Sequence, residues 1–142
     1  MLRVVIDANI FASAIHNPHG PPAQVLHAWL TDRFQLIISP AILTEIRRVL
    51  RYPRIRKAST WTEAEISELL DLLSAYAEIR VPGTLALQVC RDPTDDKYLV
   101  AAVEGEADYL ITGDKDLLSL GRYQDIAILG PADFLKVLRR PR

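Results

Sequence analysis

One cysteine in 142 residues, Cys90, leaves no internal disulfide to be made. A chain without such cross-links suits a reducing compartment, so the cytoplasm is its expected home. No apolar run approaches the roughly 20 residues needed to cross a bilayer. The opening stretch, Met1 to Phe11, carries Arg3 and then Asp7 inside its apolar run, and neither a membrane anchor nor a secretory leader is expected from it. Lys and Arg total 17 against 18 Asp and Glu, a net charge of −1. That balance excludes any argument from overall basicity to nucleic acid and makes local charge the thing to read. His16, His19 and His27 have no cysteine partners at zinc spacing and point to a loop near Pro and Gly rather than a zinc centre. A glycine-rich phosphate loop is also missing, which argues against a nucleotide triphosphatase.

What is present is an ordinary globular composition. Hydrophobic residues make up 49% and charged residues 25% of the chain, too apolar for a disordered segment. At 16.0 kDa one domain over residues 1–142 is expected, with a core that buries roughly 70% of the unfolded chain's surface. No internal repeat, low-complexity stretch or linker divides it.

Along the chain, strand and helix patterns alternate. Leu2 to Ile6 is a short β-branched run suited to a central parallel strand covered on both faces. A helix or turn follows through Ile15, the stretch from Asn17 to Pro21 breaks the chain, and Val25, Leu26, Trp29 and Leu30 then recur at helical spacing. Gln35 to Ile38 reads as a second strand, followed by Ser39 as N-cap and Pro40 at the first helical position. The stripe Ile42, Leu43, Ile46, Val49, Leu50 makes that helix amphipathic, and Tyr52-Pro53 ends it. Thr62 and Glu65 form a capping-box pattern for a helix whose inward face is Ile66, Leu69, Leu70, Leu73 and Tyr76. Glu78 to Val81 suggests a marginal third strand. A helix from near Asp95 to Gly105, a fourth strand over Asp108 to Thr112, a short helix at Leu117-Leu118, a fifth strand over Ile126 to Leu129 and a last helix opened by Pro131 complete the pattern. Such alternation predicts an α/β fold, a three-layer α/β/α sandwich with a mostly parallel five-stranded sheet.

Functional sites in such sheets lie at the carboxyl ends of the strands. Four acidic loci fall there: Asp7, Glu45, the pair Asp95 and Asp96, and Asp114 with Asp116. Each has a local reading: helix capping for Asp7, a solvated helix face for Glu45, complementing a helix dipole for Asp95 and Asp96, and turn chemistry for Asp114 and Asp116. Carboxylates crowded together repel and some must take up protons unless a cation joins them. Hard oxygen ligands without a matching His or Cys set favour Mg²⁺ or Mn²⁺ over zinc. One or two such ions can polarise a phosphodiester and activate an attacking water.

The segments Val5-Ile6-Asp7-Ala8-Asn9-Ile10-Phe11, Ile38-Ser39-Pro40 with Glu45, Arg91-Asp92-Pro93-Thr94-Asp95-Asp96-Lys97, and Leu110 through Leu118 around Gly113-Asp114-Lys115-Asp116 occur in an order that resembles PIN-domain ribonucleases. The likeness is nearest to the VapC-like toxin components of bacterial and archaeal toxin–antitoxin pairs, and it covers nearly the whole chain. It implies a PIN-like sheet with helices on both faces and Mg²⁺- or Mn²⁺-dependent endonucleolytic cleavage of RNA. By that resemblance Asp7, Glu45, Asp95 and Asp114 are the catalytic acids. The metal ligands are Asp7, Asp114 and one of the neighbours Asp95 and Asp96, with Asp95 preferred. Asp116 is a candidate outer acid. Asn9, Ser39 and Thr112 would orient ligands by hydrogen bonds, or else serve local capping and turns. A cognate antitoxin and a homodimer are implied as partners.

Arg47, Arg48, Arg51, Arg54, Arg56 and Lys57 form a basic ridge that no acid interrupts, and Arg47, Arg48 and Arg51 are the expected RNA contacts, unless the ridge is simply a solvated face. Lys136, Arg139, Arg140 and Arg142 form a second cluster that suits a solubilising tail equally well. Trp29 reads as core and Trp61 as a hydrophobic staple or partner contact. Two other functions compete: a PIN-like module that binds RNA or protein without catalysis, and an aspartyl-phosphate phosphotransferase. The latter is weakened because Asn9, two positions after Asp7, stands where such enzymes carry a second Asp.

Overall fold

In the computed structural model, which describes residues 1–83, 89–90 and 92–140, the sheet has strands β1 (Arg3–Ile6), β2 (Gln35–Ile38), β3 (Glu78–Ile79), β4 (Tyr109–Ile111), β5 (Arg122–Tyr123) and β6 (Ile126–Leu129). The helices are α1 (Ala8–His16), α2 (Pro21–Leu30), α3 (Pro40–Leu50), α4 (Pro53–Ala58), α5 (Glu63–Tyr76), α6 (Asp96–Glu104), α7 (Lys115–Leu120) and α8 (Pro131–Arg139), with a short 3-10 turn at Pro93–Asp95. Arg91 of the acidic stretch and Arg142 of the terminal basic cluster lie outside the described residues.

The strand order is β3-β2-β1-β4-β6-β5, and every neighbouring pair is parallel except β5 with β6. Crossover connections between parallel strands are right-handed, so helices cover both faces of the sheet. On one side α1 packs on α2 and α3, and α2 packs on α8; α6 rests on β1, β2 and β4. Val4, Val5, Ile6, Leu36, Ile37, Ile38, Leu110 and Ile111 are all buried, as strands covered on both faces require. β1 sits at the centre of the sheet, where its register places Val4, Val5 and Ile6 against Tyr109, Leu110 and Ile111.

The expected α/β/α architecture is present, with six strands among the described residues where five were expected. The added strand, β5, forms a hairpin with β6 through Gln124-Asp125, and Gln124 takes a left-handed φ of +53°. Hairpin turns usually announce themselves by Asn-Gly or Asp-Gly, and this one does not. β3 is shorter than the expected Glu78 to Val81. A single further bond, from the Arg80 amide to the Ile38 carbonyl at 2.9 Å, continues its ladder. The basic stretch after Pro53 is helical, with Pro53 opening α4.

Two expected core positions are on the surface. Tyr76 is 71% exposed, because the inward place one turn beyond Leu73 is taken by Ala77. Leu30 is 49% exposed at the end of α2, where Trp29 fills the buried position. The capping box of α5 is formed as read, with the Glu65 amide donating to the Thr62 hydroxyl and the Thr62 amide to the Glu65 carboxylate. Among the described residues no helix is long and apolar enough to cross a membrane.

Candidate active site

Because β1, β2, β4 and β6 run parallel, their carboxyl ends share one edge, and Asp7, Ser39 and Thr112 are the first residues beyond three of them. The Asp7 amide donates to the Ile111 carbonyl at 2.9 Å and the Thr112 amide to the Leu129 carbonyl at 3.0 Å. Both residues are thus fixed by the sheet ladder itself. Asp7 is 2% exposed. One of its carboxylate oxygens accepts from the Asn9 amide at 3.0 Å, so it caps α1, and the other accepts from the Thr112 hydroxyl at 2.8 Å. The Thr112 hydroxyl in turn accepts from the Asp114 amide at 3.0 Å. A single buried threonine therefore joins the acids after β1 and β4, as a side chain that orients ligands would do.

Asp114 caps α7 through the Asp116 amide at 3.4 Å. Asp95 ends the turn before α6 and is half-buried. Burial pushes its carboxyl up to about 6, and the Asp114, Asp7 and Asp92 carboxylates push in the same direction. Burial likewise raises Asp7; the Asn9 amide and Thr112 hydroxyl act against that rise, the Glu45 carboxylate reinforces it, and the Tyr98 hydroxyl opposes it. Asp7 and Asp95 thus each feel acids from other elements, Asp7 the Glu45 carboxylate and Asp95 those of Asp114 and Asp7.

Asp96 is held by other contacts. Its Oδ1 accepts from the Val89 amide at 3.2 Å and the Cys90 amide at 2.9 Å. Burial alone would raise this carboxyl, but the Cys90 amide, the Cys90 thiol and the Val89 amide outweigh it and hold it below the usual range. The Cys90 thiol is pushed up to about 12 by its own burial and by Asp96, so it is not a ready nucleophile. Asp116 is exposed on α7 and meets Asp114 through its backbone. The Asn9 side chain is exposed, and that residue's link to the cluster is its amide on Asp7. Ser39 is buried and caps α3, accepting from the Ile42 amide at 3.3 Å.

Glu45 projects from the second turn of α3 toward the start of α6. Its Oε2 accepts from the Lys97 ammonium at 2.5 Å and from the Tyr98 hydroxyl at 2.8 Å. Tyr98 is fully buried, and burial raises its hydroxyl well above the usual range, reinforced by the Asp7 charge. Lys97 and Tyr98 were not singled out from the sequence. Tyr98 meets Glu45 across 53 residues of chain, and no spacing rule reveals that pairing. Beside them is a cleft of about 360 Å³ lined by Ala41, Thr44, Glu45, Arg48 and Lys97. Arg47 and Arg48 are exposed on α3, whereas Arg51 and Arg56 both pair with Glu63, at 2.9 and 2.5 Å.

The donor set is all oxygen, which suits a hard divalent cation. Among the described residues no three Asp, Glu, His or Cys side chains close into a ready-made cation cage. Mg²⁺ is commonly held by one or two carboxylates together with water and substrate phosphate rather than by such a cage. A buried Asp7 and a half-buried Asp95, each raised by burial and by neighbouring carboxylates, fit that kind of site.

Comparison with known proteins agrees with the fold. A family model described as PIN domain matches residues 3–116. An uncharacterized protein of Methanocaldococcus jannaschii is 40% identical over 119 residues, which cover 84% of this chain and 75% of that protein. Among solved structures, VapBC2 from Rickettsia felis, bound to a DNA fragment from its promoter, matches over 91% of this chain and 98% of the other, with a TM-score of 0.55 and 18% identity. Identity that low speaks for the fold alone.

Proposed function

The chain belongs to the PIN domain family, and on that premise we propose that it is a Mg²⁺- or Mn²⁺-dependent endoribonuclease, hydrolysing RNA phosphodiester bonds as the toxin of a toxin–antitoxin pair. The observation that carries this reading is the convergence of Asp7, Asp95 and Asp114 from β1, the start of α6 and the end of β4, with Asp7 and Asp95 both held above the ordinary carboxylate range. These three would hold the cation. Bound there, it would polarise the phosphodiester and help activate the attacking water.

The chain's own residues supply the rest. Thr112 and the Asn9 amide keep Asp7 in one orientation, so little reorganisation is needed when a substrate arrives. Glu45 stands at the rim with Tyr98 and Lys97 behind it. Arg47 and Arg48, exposed on the same helix as Glu45, would neutralise RNA phosphates. Arg51 joins them only by releasing Glu63. Asp96, occupied by two backbone amides, has a structural role in this account.

The antitoxin partner is supported by the fold likeness to the VapBC2 complex of Rickettsia felis, and a homodimer is part of the same proposal. Incubation of end-labelled single-stranded RNA with the protein in Mg²⁺, in Mn²⁺ and in chelator tests the chemistry: internal cuts in metal and none in chelator are expected. Cleavage that persists in chelator would remove the metal from the account. Co-purification with the product of an adjacent small open reading frame tests the partner.

A further inference from the structure

Glu45 differs from the three aspartates in having a cation of its own; among the described residues no salt bridge reaches Asp7, Asp95 or Asp114. Lys97 is not a loose surface lysine. Besides Glu45 Oε2, its ammonium donates to the Thr94 carbonyl at 2.6 Å and lies 4.9 Å from the centre of the Tyr98 ring, and its side chain is 23% exposed. Tyr98 fixes the other side of the same oxygen. Its hydroxyl donates to Glu45 and accepts from the Ala8 amide at 3.2 Å, tying α3 to the first turn after β1. Arg48 stands farther out, 4.0 Å from Glu45 Oε1 and 64% exposed.

An ammonium in direct contact compensates most of a carboxylate's charge at short range. Glu45 therefore has little charge left to offer a divalent ion, whereas the aspartates have no such partner. We propose that Lys97 is a positioning residue that acts as a fixed counter-ion: with the Tyr98 hydroxyl it holds Glu45 at the rim and leaves Asp7, Asp95 and Asp114 as the set that takes the cation. This inference rests on the metal-dependent reading of the site and deepens it. Its consequences have opposite signs. Removing the ammonium uncovers a negative charge beside the aspartates and so strengthens cation binding, while it frees Glu45 to move and so slows turnover.

The test uses the full chain as wild type, Lys97→Met and Lys97→Arg. Mn²⁺ is titrated by calorimetry, and RNA cleavage is measured at saturating metal. Lys97→Met should bind Mn²⁺ about three- to tenfold tighter and lose about tenfold in kcat, with KM for RNA nearly unchanged; Lys97→Arg should restore both. A third measurement needs neither metal nor RNA: a thermal-melt cycle of Lys97→Met with Glu45→Gln. The pairing requires that Glu45→Gln suppress the loss caused by Lys97→Met. Additive effects in that cycle, or wild-type Mn²⁺ affinity and kcat in Lys97→Met, would overturn the inference. Should the wild type bind no Mn²⁺, the metal reading fails on its own, and the metal-free cycle still decides whether Lys97 is the counter-ion of Glu45.

Discussion

Asp95 and Asp96 are chain neighbours in different surroundings. In the folded protein the Asp95 carboxyl, raised by burial and then by Asp114 and Asp7, titrates near 6, against 3.8 in the unfolded chain. The folded state therefore binds the extra proton between those values. Stability from this group is full below about pH 4 and is lost as pH rises through about 6. Thermal melts in chelator should show the wild type losing stability relative to Asp95→Asn across that window. Saturating Mn²⁺ should reduce the difference by neutralising the cluster. Asp96→Ala, by contrast, strips an acceptor from the Val89 and Cys90 amides and should cost about 1–3 kcal/mol in a denaturant melt, with Mn²⁺ affinity within about twofold of wild type. Loss of Mn²⁺ binding in Asp96→Ala would place it back among the ligands. The chain pattern left these two aspartates open, because both sit in one acidic stretch at a helix start. What distinguishes their surroundings is that the Val89 and Cys90 amides, seven and six residues earlier in the chain, donate to Asp96.

Elements deliver these side chains to one edge, and α6 does so under tight constraint. At its end, a Cβ on Gly105 would lie 2.8 Å from the Ala101 carbonyl oxygen and 2.8 Å from Ile37 Cγ2, so the helix can approach β2 only with glycine there. Gly105→Ala should lower stability by about 1–3 kcal/mol by overpacking, read from a denaturant melt, and should weaken Mn²⁺ binding by displacing Asp95 at the helix's other end. Destabilisation without any change in Mn²⁺ affinity would show that α6 tolerates the shift. Strands β1, β2, β4 and β6 were legible because each is a compact apolar run, the first three ended by a polar residue and β6 by Gly130-Pro131. Capping of α3 by Ser39 and of α5 by Thr62 was legible from residue chemistry. The hairpin strand β5 was not, since Arg122-Tyr123 is too short for periodicity and its turn lacks the usual glycine. Tyr76 was misjudged because a stripe at helical spacing does not say where the packing partner ends.

Over the molecule as a whole, the parallel sheet gathers residues from positions 7, 45, 95 and 114 into one charged edge. The order of these acids along the chain could be read before the fold, since strand ends in such a sheet share a side. The support behind them could not: Thr112 bridging Asp7 and Asp114, and Lys97 with Tyr98 behind Glu45, are contacts across strands and helices that sequence spacing does not encode. Near-zero net charge conceals a local division, with acids at the sheet edge and the exposed Arg48 beside Glu45. Such a division suits the polyanionic substrate of the proposed function. The most direct measurement is cleavage of end-labelled RNA in Mn²⁺ by the wild type, Asp7→Asn and Asp114→Asn, each first shown to melt as a folded protein. Internal cleavage by the wild type that falls about 100-fold or more in both variants is the predicted result. Undiminished cleavage by either variant would contradict the assignment of this carboxylate edge as the catalytic centre.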